Sequence, residues 1–325
     1  MRTRAIGRLP WALLFLLAAQ AAAAFSEAPF VGINYGPFHR PGLYPGAPEE
    51  PTEAEIVADL RAIAQAGFRR VRTYGLEGVL SRIAPLAERH APGLRFLVGV
   101  HACGSGGGGT PFSPRTRAQL AAAVALARSQ SNLDALVIGN ECLPGEPEAC
   151  PEPVRAGEWI AGVAALRREL GEAGRSLPVT VALSMTAALD AERAEAVRIA
   201  SHADFLLVNV HPFFAPVAVE RAVFENLEAS IGRLEERFRR LGKPVFIGET
   251  GWPSAGAPNG PARPGVAAQR RFVHDLSRYA RTRKRGVLLF EMFDEPWKER
   301  ERGGVGPHWG LFDAERRPKF DLPSW

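Results

Sequence analysis

The sequence predicts an α/β fold, a single (β/α)8 TIM barrel, and three observations predict it. Eight short apolar runs rich in Val, Ile, Leu and Phe recur between residues 30 and 294. Longer amphipathic segments of helical period separate them. The runs are nearly continuous in hydrophobicity, the pattern of parallel strands covered on both faces. Eight strand–helix units over this length match the barrel in count and size. An open doubly wound sheet is the competitor, but the first run reads GINYGPF and lacks the G-x-G-x-x-G turn of that fold. GSGGGGT (104–110) lacks the GK[ST] ending of a phosphate loop and reads as a surface loop.

In chain order the strands are FVGINY (30–35), FRRVRTYG (68–75), LRFLVGVH (94–101), ALVIGNE (135–141), LPVTVALS (177–184), DFLLVNVHP (204–212), PVFIGETG (244–251) and VLLFEMFD (287–294). The first helix opens at Thr52 with Glu55 three residues on, a capping box, and ends at Gly67. Further helices are predicted over about 77–90, 114–129, 154–173, 190–202, 219–241 and 265–284.

The chain has 325 residues, 46% hydrophobic and 23% charged, which excludes a disordered or collagen-like protein. Of its net charge of +5, three positive charges (Arg2, Arg4, Arg8) lie in the first 24 residues, which hold no acid, so the rest is nearly balanced. Arg elsewhere alternates with Glu, as in RRELGEAGR and RLEERFRR, which reads as solvated helix faces; no nucleic-acid partner is expected. Residues 1–24 read as a secretory signal: a basic stretch, the apolar run WALLFLLAA, and small residues at Ala22 and Ala24 before Phe25. Retention of that run as an N-terminal anchor is the alternative. The catalytic domain is then 25–325, a secreted or periplasmic monomer with no stable membrane insertion after cleavage and no room for an appended binding module. Export permits disulfides. Of Cys103, Cys142 and Cys150, the last two flank the loop LPGEPEA, and a Cys142–Cys150 bridge is expected, with Cys103 free and partly buried; three free thiols are the alternative. No CxxC pair suggests a metal knuckle.

Active sites of such barrels form at the C-terminal ends of the strands. The residues there are Asn34 and Tyr35, Arg72 and Tyr74, His101, Asn140 and Glu141, Ser184, Asn209 and His211, Glu249, then Glu291, Asp294 and Glu295. The set is acidic, amidic and aromatic, without the cationic cluster that phosphates require. Glu141 and Glu249 end the fourth and seventh strands, which face one another across an eight-stranded ring. Two opposed carboxylates are what cleavage of a glycosidic bond needs: one protonated to assist the departing oxygen, one ionised. A gap of roughly 5–5.5 Å permits direct attack, while about 6.5–9.5 Å admits a water. A single strand-end Glu is ordinarily a surface acid; the opposed pair, flanked by Asn140 and by Gly-Trp-Pro, is what carries the chemistry. Donors around Glu249, with Arg72 and His211 as candidates, favour Glu249 as nucleophile and Glu141 as acid/base. Trp252, Trp297, Trp309, Tyr35, Tyr74, Phe213 and Phe214 are candidate surfaces for sugar C–H faces, each with core packing as its alternative, and Trp159 belongs to the core. His101, His211, Glu141 and Glu249 lack HxxxH or HExxH spacing, so neither metal nor cofactor is expected.

GINYGPF, VRTYG, VIGNE, VNVHPFF, GETGWPS, FEMFDEPWK and HWGLFDAERRPKFDL together resemble glycoside hydrolase family 17, the β-1,3-glucanases and β-1,3-glucanosyltransferases, from about residue 30 to 322. The resemblance implies a retaining double displacement on β-glucan, with the acid/base on Glu141 and the nucleophile on Glu249. It implies substrate-site roles for Glu295 and Lys298, and places the tyrosines of its first two motifs on Tyr35 and Tyr74. Arg72, Asn140, Asn209, His211 and Trp252 complete the expected substrate-binding set. The chain departs from the family at His211, where Tyr is frequent, and in VGVHACGSGGGGTPF. The rival readings are a glucanosyltransferase using the same glutamates, another barrel glycosidase acting on β-1,4-glucan or mannan, and a non-catalytic glucan-binding protein. Retention of both glutamates argues against the last.

Overall fold

The computed structural model describes residues 30–325 apart from 108, 147–149, 172–176, 191–193 and 299–301. The signal expected at 1–24 lies outside the described residues. Eight parallel strands close into a barrel in chain order, β1 pairing with β8. They are β1 (Phe30–Asn34), β2 (Arg70–Arg72), β3 (Arg95–Val100), β4 (Leu133–Asn140), β5 (Val179–Ser184), β6 (Leu206–Asn209), β7 (Val245–Thr250) and β8 (Gly286–Leu289). Every expected strand is present, trimmed where polar strand ends turn into loops.

The helices follow the predicted punctuation. α1 (Glu53–Gln65) opens on Thr52, whose hydroxyl accepts from the Glu55 amide while the Glu55 carboxylate accepts from the Thr52 amide. Gly67 follows with φ +89°, the left-handed turn that glycine accommodates. A 3-10 turn, Gly78–Arg82, leads into α2 (Ile83–His90). α3 (Pro114–Ser129) is capped by Ser113 with Pro114 in its first turn, and α4 (Ala156–Leu170) follows β4. A short α5 (Met185–Leu189), capped by Ser184, adds an element beyond the expected helices; one turn leaves too little period to see in the sequence. α6 (Ala194–His202) precedes β6. After β6, α7 runs through Val219–Arg221, a π-helical turn Ala222–Leu227 and Glu228–Phe238. α8 (Val266–Arg283) precedes β8. Among the described residues no helix is long and apolar enough to cross a membrane.

Apolar side chains form two bodies. The larger fills the space between strands and helices, with Ile33, Val71, Ile138, Val181 and Val208 facing Ile63, Trp159, Ile199 and Phe272. The smaller plugs the barrel itself: Leu97, Ala135, Val137, Ala182, Phe205, Leu207, Phe246 and Leu288, with Phe30 against them. Alternation along β6 sends Phe205 and Leu207 inward and Leu206 and Val208 outward, so the next inward position is Asn209. The interior therefore changes from apolar to polar toward the strand tips.

The disulfide differs from expectation. Cys103 pairs with Cys150, tying the loop after β3 to the loop after β4, and Cys142 is the free, buried thiol. The reason is where Cys142 points: a Cβ added at Gly139 would lie 2.4 Å from its Sγ, so the thiol is folded back into the core. Glu146 turns the loop away by accepting from the amides of Leu143 and Ser184. Burial pushes the Cys142 thiol far up, which leaves it inert.

Candidate active site

Strand alternation alone would not place two neighbouring side chains in the cleft. Local irregularities do so here. The β4–β5 register shifts between Val137 and Asn140, Gly139 has φ +92° and Glu141 itself has φ +44°. A left-handed non-glycine residue costs about 1–3 kcal/mol and persists only where its surroundings fix it. Here the Glu141 amide donates to Ala182 O at 3.0 Å. The β6–β7 register shifts between Val208 and Asn209, and the β7–β8 register between Ile247 and Thr250. These bulges re-aim the strand ends, as bulges beside active sites commonly do.

Arg72 crosses the barrel at its polar tier. It is 1% exposed. One terminal nitrogen donates to Glu249 Oε1 (3.2 Å), Asn209 Oδ1 (3.3 Å) and Gly248 O (2.9 Å), and the other to Asn140 Oδ1 (2.7 Å). Gly248 is required for this crossing: a Cβ there would lie 2.8 Å from Asn209 Oδ1 and 3.1 Å from the Arg72 guanidinium. Asn209 Nδ2 donates to Glu141 Oε1 (2.9 Å) and Asn140 Oδ1 (3.0 Å). Glu141, Asn209, Arg72 and Glu249 thus form one continuous chain of hydrogen bonds. Asn34 supports it from below, donating to Gly248 O and Leu289 O.

Glu249 is 6% exposed. It also accepts from the Tyr74 hydroxyl at 3.0 Å and lies 3.4 Å from His211 Nε2. Burial alone would raise its pKa; His211, Arg72 and Tyr74 overcome that and hold it below the ordinary carboxylate value. The Tyr74 hydroxyl is pushed well up by burial and by the Glu249 charge, so it stays a donor. Glu141 is more open to the cleft, at an intermediate level of burial.

The expected residues therefore divide. Arg72, Tyr74, Asn140, Asn209 and His211 converge on the two glutamates, but as groups that orient them. Glu295 and Lys298 form a neighbouring buried cluster. Lys298 Nζ lies 2.9 Å from both oxygens of Glu291 and 2.8 Å from Glu295 Oε2, over the Phe290 ring. Burial would depress this ammonium, but the two carboxylates raise its pKa strongly. Glu291 was visible as a strand-end acid, yet only the fold shows it facing Lys298. Two expected substrate contacts are corrected. Tyr35 is 1% exposed, its hydroxyl donating to Asp59 at 2.7 Å and its ring edge-on to Phe293. Trp252 is 1% exposed, donates its indole N–H to Arg263 O and packs against Phe213 and Phe272. Both are core residues of the site's walls. Trp309 is buried as well, whereas Phe214 at 49% and Trp297 at 39% are exposed. His101 follows β3 and lies beside the disulfide instead of joining the glutamates.

A closed barrel that presents one carboxylate held ionised and bridges it to a second on a facing strand has the architecture of a barrel glycosidase. The chain belongs to the BtgE/BtgC glycoside hydrolase domain family, whose model matches residues 32–310. This bears out the resemblance to glycoside hydrolase family 17. A glucan 1,3-beta-glucosidase of Arthroderma benhamiae is 34% identical over 127 residues, 36% of this chain and 41% of that protein. A probable beta-glucosidase, btgE, of Aspergillus fumigatus is 25% identical over 286 residues, 87% of this chain and 45% of that protein. The chain thus spans less than half the length of these two curated relatives. A β-1,3-glucanosyltransferase of Rhizomucor miehei, in complex with laminaritriose, superposes with a TM-score of 0.67 at 25% identity, covering 92% of this chain and 99% of its own. An endo-laminarinase from Formosa shares the fold with a TM-score of 0.70 at 20% identity, over 88% of this chain and 84% of its own.

Proposed function

We propose that this protein is a retaining glycoside hydrolase that cleaves β-1,3-glucosidic bonds in glucans. The observation that carries the reading is the asymmetry of the linked pair: Glu249 is buried among three donors that keep it anionic, and Glu141 stands more open across the cleft. Glu249 attacks the anomeric carbon while Glu141 protonates the departing glycosidic oxygen. A glycosyl–enzyme ester forms, and Glu141 then takes a proton from the incoming water. Arg72 and Tyr74 keep the attacking oxygens unprotonated, and Asn209 fixes Glu141 relative to them. Phe214 and Trp297 supply exposed aromatic faces for sugar rings. The basic, apolar and small-residue order of residues 1–24 supports export, and we read the exported protein as a monomer.

A second reading keeps the same residues and replaces water with a sugar hydroxyl, making a glucanosyltransferase. The Rhizomucor miehei neighbour, matched along almost its whole length, favours it. Incubation with reduced and unreduced laminari-oligosaccharides separates the two. Shorter products alone support hydrolysis, and products longer than the substrate support transfer. Glu249→Ala should abolish both while glucan still binds; unchanged turnover in that variant refutes the assignment.

A further inference from the structure

Beside the catalytic cleft the fold gathers three soft or borderline ligands that the proposed reaction does not use. Among the described residues, His101, Cys103 and Cys150 form a group whose ligand atoms all lie within 4.8 Å of one another. His101 and Cys103 follow β3, and Cys150 comes from the loop after β4, so the group unites distant parts of the chain. The imidazole straddles the two sulfurs: Nδ1 is 3.7 Å from Cys103 Sγ and Nε2 is 3.8 Å from Cys150 Sγ. We propose that these three residues form a redox-gated site for a thiophilic divalent cation of the zinc type, closed while the disulfide is intact and opened by its reduction.

The geometry supports the set. A tetrahedral zinc ion with legs of about 2.3 Å to sulfur and about 2.0–2.1 Å to nitrogen separates N from S by about 3.6 Å. Each sulfur stands near that range from one ring nitrogen, Cys103 Sγ from Nδ1 and Cys150 Sγ from Nε2, so binding through a single nitrogen needs the sulfurs to part and the ring to turn. The loops around them are otherwise pinned, with the Gly104 amide donating to Glu152 O at 2.7 Å and the Val154 amide to Cys142 O at 2.8 Å. The Cys103 amide is also held, by Thr116 Oγ1 at 2.9 Å. Two protein thiolates and one imidazole leave a fourth position for water.

The chemistry balances as follows. A small-molecule dithiol delivers two electrons and two protons to the Cys103–Cys150 bond, which breaks into two thiols, and the reductant becomes a cyclic disulfide. The cation then displaces the two thiol protons into solvent. The ion takes over the covalent bond's task of tying the β3 and β4 loops together, the latter beginning at Glu141. Nothing in this proposal depends on the glycosidase reading.

The test uses the full chain, reduced with a dithiol, desalted without oxygen and titrated with Zn2+ against a chromophoric chelator, with Co2+ as spectroscopic probe. The reduced protein should take up one equivalent and show thiolate-to-cobalt charge transfer, and the oxidised protein should show neither. His101→Ala and Cys150→Ser should bind at least tenfold more weakly, while Cys142→Ser should bind like the parent. His101→Ala can be checked for folding in its oxidised form before reduction. As a measurement on the unaltered chain, Zn2+ should slow alkylation of Cys103 and Cys150. Equal uptake by oxidised and reduced protein, undiminished binding by His101→Ala, or no protection from alkylation would each overturn the site.

Discussion

Replacing Tyr74 with Phe removes one hydroxyl and nothing else from the Glu249 carboxylate. That hydroxyl is the shortest of three side-chain contacts to Glu249, at 3.0 Å against 3.2 Å from Arg72 and 3.4 Å from His211. A hydrogen bond to a charged group contributes about 1.5–3 kcal/mol. The Tyr74 side chain is only half-buried, so the lower half of that range applies. At about 1.4 kcal/mol per pKa unit, the Glu249 pKa should rise by about one unit. In a profile of kcat/KM against pH on laminari-oligosaccharides, the acid limb reports the free enzyme's essential base. It should move upward by about one unit in Tyr74→Phe, with the alkaline limb in place.

Stability gives a second readout with a definite sign. The folded-state pKa of Glu249 is depressed, so its contribution is fully present above the unfolded value of about 4.3 and is lost as pH falls through the lowered value. Tyr74→Phe shrinks the depression. The parent should therefore exceed the variant in Tm at neutral pH, and the gap should close below about pH 4. An acid limb that stays put in a well-folded variant, or a Tm gap that widens with acid, would refute this account of how Glu249 is kept ionised.

Three further outcomes follow from the site. Glu141→Ala should lose more than a hundredfold on glucan yet still release a good aryl leaving group, which needs little protonation, as a burst in stopped-flow absorbance. Lys298→Met leaves Glu291 and Glu295 buried beside each other without their shared cation, and should cost about 3–5 kcal/mol in denaturant unfolding. Trp252→Ala should cost about 3–5 kcal/mol of stability as a core truncation, whereas Trp297→Ala should raise KM for longer oligosaccharides and leave Tm unchanged.

The barrel was legible because its determinants are local. Continuous apolar runs, the Thr52–Glu55 cap and the Gly67 terminator are each decided within a few residues. The glutamates were legible because strand order fixes which tips oppose. What the sequence could not show was direction. Tyr35 and Trp252 sit beside site residues in the chain, but their polar atoms find Asp59 and Arg263, partners 24 and 11 residues away. The disulfide misled for the same reason: proximity in sequence favoured Cys142, while the turn at Gly139 folds that thiol into the core and leaves Cys150 to a residue 47 positions distant.

The polar tier explains why the site needs irregular strands. In a regular barrel Phe246 and Gly248 would both point inward and Glu249 would face the helices, where an unpaired carboxylate would be untenable. The register shift in β7 returns Glu249 to the interior, and the one at the end of β4 lets Asn140 join Glu141 there. Those shifts are sustainable because Arg72 satisfies what they expose. It binds the Gly248 carbonyl at the bulge, the Asn140 amide at the facing strand and the Glu249 carboxylate between them. One buried guanidinium thus compensates the backbone irregularity and the nucleophile's charge together. Lys at this position could neutralise the charge but could not span the same three acceptors, because its single nitrogen lacks the guanidinium's planar fork. The arrangement of the site and the tolerance of the barrel for bulges at its fourth and seventh strands are therefore one physical requirement.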